Sequence, residues 1–98
     1  FAPSPFQAIE RDFAFLVDAG VSAEDITRAA KSADRALIES VTIFDLYEGK
    51  GVGEGRKSLA IAVRIQPKDK TLTDAEIEAI AHKIIANVIK ATGATLRG

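Results

Sequence analysis

Three side chains able to bind a ligand, Tyr47, Asp45 and Ser58, are predicted to share one face of a β-sheet. Residues 40–48 and 58–65 have strand-like composition, and side chains alternate between faces along a strand. A tyrosine ring can stack, a carboxylate accepts hydrogen bonds, and a hydroxyl can donate or accept them. An aromatic ring beside such groups on an open sheet is typical of a platform for an unpaired base.

The small side chains of Ala60 and Ala62 keep that face shallow, and the same alternation places Ile43 on it. The opposite face is apolar and predicted to be covered. A lone tyrosine on a solvated sheet more often packs than binds, so packing is the competing interpretation of Tyr47.

Composition sets the broad class. The chain has 98 residues, is 47% hydrophobic and 28% charged, and fits one globular domain with a real core. It lacks cysteine and has one histidine, which excludes disulfides, thiolate metal sites and a histidine metal site. A net charge of -1 argues against strong independent nucleic-acid binding. No signal peptide or membrane-spanning run is visible, and the missing methionine suggests a piece of a longer polypeptide.

The remaining elements follow from periodicity and capping residues. Residues 1–5, with two prolines, are expected to be the end of a linker, and residues 6–98 a single domain. Residues 10–18 alternate as a strand. Ser22 can cap one helix, and Thr73 opens a second with a full capping box.

A short strand at residues 94–97, with Arg97 facing outward, completes the order strand, helix, strand, strand, helix, strand. This order predicts an α+β, ferredoxin-like βαββαβ sandwich, with a four-stranded antiparallel sheet and two helices on one face. The predicted core is Phe13, Phe15, Phe44, Leu46, Leu59, Ile61, Val63, Ile77, Ile84 and Val88.

Other chemistry finds little support. The glycine-rich segment 48–57 is not a P-loop, because Arg56 precedes Lys57-Ser58 and a strand follows. It is predicted to be a mobile hairpin loop whose Lys50, Arg56 and Lys57 can touch phosphate, as can Arg64 on the next strand.

His82 is expected to be solvated. Asp12 and Asp45 could share a proton across adjacent strands, although pairing with Arg11 or Arg64 is the simpler expectation. No catalytic, metal or cofactor residue is identified in this chain.

Four segments, in this order and spacing, resemble a known family: 11–15 (RDFAF), 43–49 (IFDLYEG), 55–60 (GRKSLA) and 71–76 (TLTDAE). They are similar to the ferredoxin-fold anticodon-binding domain at the C-terminus of the bacterial phenylalanyl-tRNA synthetase beta subunit. The resemblance spans about residues 5–98. It implies that the open sheet face binds the tRNA anticodon through Ala14, Asp45, Tyr47 and Ser58. Ala14 would allow close approach of the base or lend a backbone group.

The resemblance also implies the wider context. The whole enzyme would be a cytoplasmic, ATP- and Mg²⁺-dependent class II ligase that charges tRNA(Phe) with phenylalanine. It would contain two alpha and two beta subunits, with catalysis in the alpha subunit, and would bind neither DNA nor a membrane. Two alternatives remain open because this fold hosts many functions: a small-molecule-binding regulatory module and a purely structural interaction domain.

Overall fold

The computed structural model describes residues 7–49, 55–68 and 71–97. The predicted element order is confirmed: β1 (Ile9–Asp18), α1 (Ala23–Lys31), β2 (Ile38–Glu48), β3 (Arg56–Ile65), α2 (Asp74–Thr92) and β4 (Thr95–Leu96). The predicted linker at residues 1–5 lies outside the described residues, as do residues 50–54 of the glycine-rich segment.

The four strands form one sheet in the order β2-β3-β1-β4. Each neighbouring pair is antiparallel. Helix α1 connects β1 to β2, and β3 lies between these two strands, which is the split βαβ arrangement of the ferredoxin-like fold. The predicted fold class is therefore confirmed.

Capping residues fix where the helices begin and end. Ser22 accepts a hydrogen bond from the Asp25 backbone at 3.1 Å and starts α1. Thr73 and Glu76 exchange the two bonds of a capping box at the start of α2. Gly93 ends α2 in the left-handed conformation, at φ 72°, where glycine carries no Cβ penalty.

The core lies between one face of the sheet and the two helices. On β1 the buried side chains alternate as predicted, with Phe15 and Val17 fully buried. The remaining large side chains of the core that are less than 2% exposed are Ile26, Leu59, Ile61, Val63, Ile65, Ile84 and Val88. Because the buried side chains of β1 and β3 occupy alternate positions, the intervening residues of these strands point away from the helices and form the open face.

The predicted alternation fails in the middle of β2. Ile43 lies opposite Ile61 and packs against the core, so its placement on the open face was wrong. Between Ile43 and Asp45 the register with β3 shifts, which leaves Phe44 as an additional residue. A bulge of this kind reverses the parity of the strand beyond it. Asp45 therefore shares the open face with Tyr47, as predicted. Without the bulge, strict alternation from the core-facing Ile43 would place both residues on the covered face.

The core prediction is wrong for two further residues of β2, both of which are exposed. Phe44 is 57% exposed and Leu46 is 55% exposed. Phe44 belongs to the bulge. Leu46 pairs with Leu59 and shares its side of the sheet, but it lies on the edge strand β2, where nothing in the described part of the chain covers it. Ile77, also predicted as core, is only half-buried in the first turns of α2.

Candidate functional site

One row of side chains crosses the open face near the hairpin end of the sheet. Tyr47 on β2 lies opposite Ser58 on β3, which lies opposite Leu16 on β1. Leu16 in turn lies opposite Thr95 on β4. Neighbouring strands are about 4.8 Å apart, so the row spans roughly 14 Å. It places an aromatic ring, a hydroxyl and an apolar side chain in a line.

A second row runs beside the first, about 7 Å along the strands. Asp45 lies opposite Ala60, and Ala60 lies opposite Ala14. Both alanines are half-buried and short, so the floor between the carboxylate of Asp45 and strand β4 is flat. Register thus brings together all of the predicted site residues: Ala14, Asp45, Tyr47 and Ser58.

The tyrosine is accessible. Its side chain is 47% exposed, and a Cβ placed on the neighbouring Gly49 would lie 3.5 Å from the Tyr47 hydroxyl oxygen. The ring therefore extends toward the hairpin end of the face. Gly49 itself has φ 132°, a conformation that favours glycine. A side chain at this position would strain the backbone, whereas its Cβ would make only ordinary van der Waals contact with the ring.

Two arginines of the open face lie near Ser58. Arg97, immediately after β4, donates a hydrogen bond from Nη1 to Oγ of Ser58 at 3.0 Å. Arg56 starts β3 two residues before Ser58 and so shares its side of the sheet. The Nε atom of Arg56 is buried and has no hydrogen-bond partner among the residues that the structure describes. Near the tyrosine, the face thus carries two guanidinium groups and the carboxylate of Asp45, and Asp18 lies opposite Arg56.

The other predicted phosphate contacts are placed less favourably. The side chain of Lys57 leaves β3 on the helix side of the sheet, opposite the buried Val17. Arg64 lies six residues from Ser58, roughly 20 Å along β3, and is held by Glu39 at 3.1 Å and Glu10 at 3.6 Å. Lys50 lies outside the described residues.

The proposed proton sharing between Asp12 and Asp45 is wrong, because β3 separates their strands. The arginines suggested as their partners bind other carboxylates. Arg64 binds the two glutamates above, and Arg11 donates to Glu78 of α2 at 2.8 Å. This hydrogen bond and the charge of Arg11 hold the pKa of Glu78 below its ordinary value.

Other site types find no support in the part of the chain that is described. Within residues 7–49, 55–68 and 71–97, no cluster of three metal-ligating side chains occurs. His82 is exposed on α2, as predicted. Among the same residues, no helix is both long and apolar enough to cross a bilayer.

The arrangement suits a flat, planar ligand with polar edges. The ring of Tyr47 can stack on it, Asp45 can accept hydrogen bonds from it, and Ser58 can bond to its edge. Sequence reasoning placed Arg97 outward but missed its contact with Ser58. The available signal was the fold itself, because a ferredoxin-like sheet sets β4 beside β1 and directs Arg97 across it.

The chain thus has a ferredoxin-like sheet whose face opposite the helices carries the candidate site. The sequence profile of the ferredoxin-fold anticodon binding domain matches residues 4–97, nearly the whole chain. The chain therefore belongs to this family.

Curated relatives point to one kind of protein. The chain is 60% identical over 93 residues to the phenylalanine–tRNA ligase beta subunit of Nitrobacter winogradskyi, covering 95% of this chain and 12% of the relative. It is 61% identical over 94 residues to the same subunit of Bradyrhizobium diazoefficiens, covering 96% of this chain and 12% of the relative. The chain thus spans about an eighth of the length of the relatives it matches.

Proposed function

We propose that this chain is the anticodon-binding domain of a phenylalanine–tRNA ligase beta subunit and binds the anticodon of tRNA(Phe) on its open sheet face. The observation that carries the proposal is the register that gathers Tyr47, Asp45, Ser58 and Ala14 on the helix-free side of the sheet. Membership of the family supports it over a regulatory module or a purely structural domain.

Each residue has a distinct physical role in this proposal. The half-exposed ring of Tyr47 stacks on an unpaired anticodon base. Asp45 accepts hydrogen bonds from an amino or imino group of a base and repels an acceptor edge. Ala14, opposite Ala60, leaves room for the base to approach the backbone. Arg56 is the best placed of the predicted phosphate contacts because it lies on this face only two residues from Ser58, whereas Arg64 lies far along β3 and binds two glutamates.

The wider protein is part of the same proposal. The ligase would join phenylalanine to tRNA(Phe) in the cytoplasm, using ATP and Mg²⁺, in an assembly of two alpha and two beta subunits. The residues described here would contribute tRNA recognition, and adenylate formation would take place in the alpha subunit. The rest of the beta subunit and the alpha subunit are then the protein partners of this domain.

The test is a change at Asp45 in the complete ligase. Asp45→Ala removes the carboxylate, so discrimination between tRNA(Phe) and anticodon-substituted tRNAs should fall by about tenfold or more in kcat/KM. Phenylalanine-dependent ATP–pyrophosphate exchange should be unchanged. Asp25→Asn is the matched control, since it removes one carboxylate from α1, on the opposite side of the sheet. Equal discrimination by Asp45→Ala and the parent would refute the assignment of this face to the anticodon.

A further inference from the structure

The contact between Arg97 and Ser58 joins two strands that are not neighbours. The backbone N–H of Arg97 donates to the carbonyl of Ala14 on β1 at 2.6 Å. The guanidinium Nη1 donates to Oγ of Ser58, on β3, at 3.0 Å. Strand β1 lies between β4 and β3, so the side chain of Arg97 must pass over β1 on the open face. The short side chain of Ala14 leaves space for this crossing.

This contact favours one hydrogen-bonding role of Ser58 toward a ligand, that of a donor. A guanidinium group has only donors, so the hydroxyl oxygen of Ser58 must accept. Accepting from Arg97 uses one lone pair of the Ser58 hydroxyl and leaves its proton for donation and a second lone pair for a further donor. Among the described residues, Ser58 makes no other side-chain hydrogen bond. A charged donor also polarises the hydroxyl and strengthens the bond that its proton makes to a further acceptor.

The charge of Arg97 points to the same role. Within the described ranges, no carboxylate lies in ion-pair distance of Arg97, whereas Arg11, Arg28 and Arg64 each bind at least one. Among the described residues, the guanidinium of Arg97 is therefore held by a neutral hydroxyl and not by an ion pair.

We propose that Arg97 is a positioning residue that makes Ser58 a hydrogen-bond donor to an anticodon base, opposite in sense to the acceptor Asp45. This inference rests on the proposed function. Ser58 and Asp45 lie diagonally on adjacent strands, about 7 Å apart, within reach of one base. The pair then selects a base edge that presents an acceptor near a donor, and it rejects an edge that presents two acceptors.

The test is a double-mutant cycle in the complete ligase with Ser58→Ala, Arg97→Ala and both changes together. Each enzyme is assayed for kcat/KM with tRNA(Phe) and with tRNAs that carry single anticodon substitutions. Arg97→Ala should lose about threefold to tenfold in discrimination, as expected for one hydrogen bond. The double variant should match Ser58→Ala within about twofold, because Arg97 acts through Ser58. Arg28→Gln, which removes an arginine from α1, is the charge-matched control.

Arg97→Lys separates positioning from simple charge. Lysine keeps the positive charge but has a shorter reach and no planar fork. The dependence of tRNA affinity on salt should match the parent, and discrimination should recover only in part. If Arg97→Ala lowers the melting temperature of the ligase, the lysine variant tests the positioning role in its place.

Two results would overturn the proposal. Arg97→Ala could weaken the binding of all tRNAs equally, including in the Ser58→Ala background, and make tRNA affinity less dependent on salt. That result would identify Arg97 as a phosphate contact. Full recovery of discrimination by Arg97→Lys would likewise show that charge alone suffices. Tyr47→Ala and Asp45→Ala are assayed in parallel. If those variants also behave like the parent, the proposed function fails; if only Arg97→Ala does, the failure is limited to this inference.

Discussion

Replacing Tyr47 with alanine should weaken tRNA(Phe) binding to the complete ligase by about 2 kcal/mol. The ring is 47% exposed, and an aromatic side chain presents about 200 Å², so roughly 90 Å² is available to a stacked base. At about 25 cal/mol per Å², this area corresponds to about 2 kcal/mol, or roughly 30-fold in Kd. The value falls within the range of about 1–3 kcal/mol for base stacking on aromatic side chains.

The assay is the Kd of the complete ligase for tRNA(Phe), measured at one fixed salt concentration because phosphate contacts respond to salt. Tyr47→Phe keeps the ring and should bind within about twofold of the parent, since stacking does not need the hydroxyl. Phe44→Ala is the matched control, because Phe44 lies on the same strand and is 57% exposed, but belongs to the bulge and not to the row. The reasoning is refuted if Tyr47→Ala binds like the parent, or if Phe44→Ala weakens binding equally.

Three further predictions concern stability and charge. Phe44→Ala should cost less than about 1 kcal/mol of unfolding free energy, against about 3–5 kcal/mol for Phe15→Ala in the core, as measured by denaturant unfolding; similar losses would contradict the exposure of Phe44. Arg11 lowers the pKa of Glu78 in the folded protein below 4.5. The ion pair therefore stabilises the fold above that pH, and this stabilisation is lost as the pH falls through the lowered pKa. Glu78→Gln should therefore destabilise at neutral pH and not in strong acid; an equal effect at both would exclude the ion pair. With a net charge of -1, the domain should bind an anticodon stem-loop with a shallow salt slope, and a steep slope with arbitrary RNA would indicate a general RNA binder.

The sequence alone determined the elements and the side of the sheet on which most residues lie. The alternation in β1 and β3 predicted the buried Phe13, Phe15, Leu59 and Ile61 because burial follows the two-residue period of a strand. Ser22 and Thr73 marked the helix starts because capping is a local interaction between residues three apart. The order of the elements then predicted the ferredoxin-like fold.

The tertiary structure decided what depends on register and on neighbours distant in sequence. The bulge at Phe44 changes the parity of β2, and no local signal in residues 40–48 marked it. Leu46 is a large apolar residue of the kind found in protein cores, yet its exposure depends on whether a helix reaches the edge strand.

The candidate site shows the same division. Tyr47, Asp45 and Ser58 could be placed on one face from alternation within two strands joined by a hairpin. Arg97 could not be connected to Ser58 in this way, because the two residues are 39 positions apart along the chain and their contact depends on the position of β4 beside β1. Hydrogen bonds between distant segments have no sequence period, so only the assembled sheet brings these two side chains together.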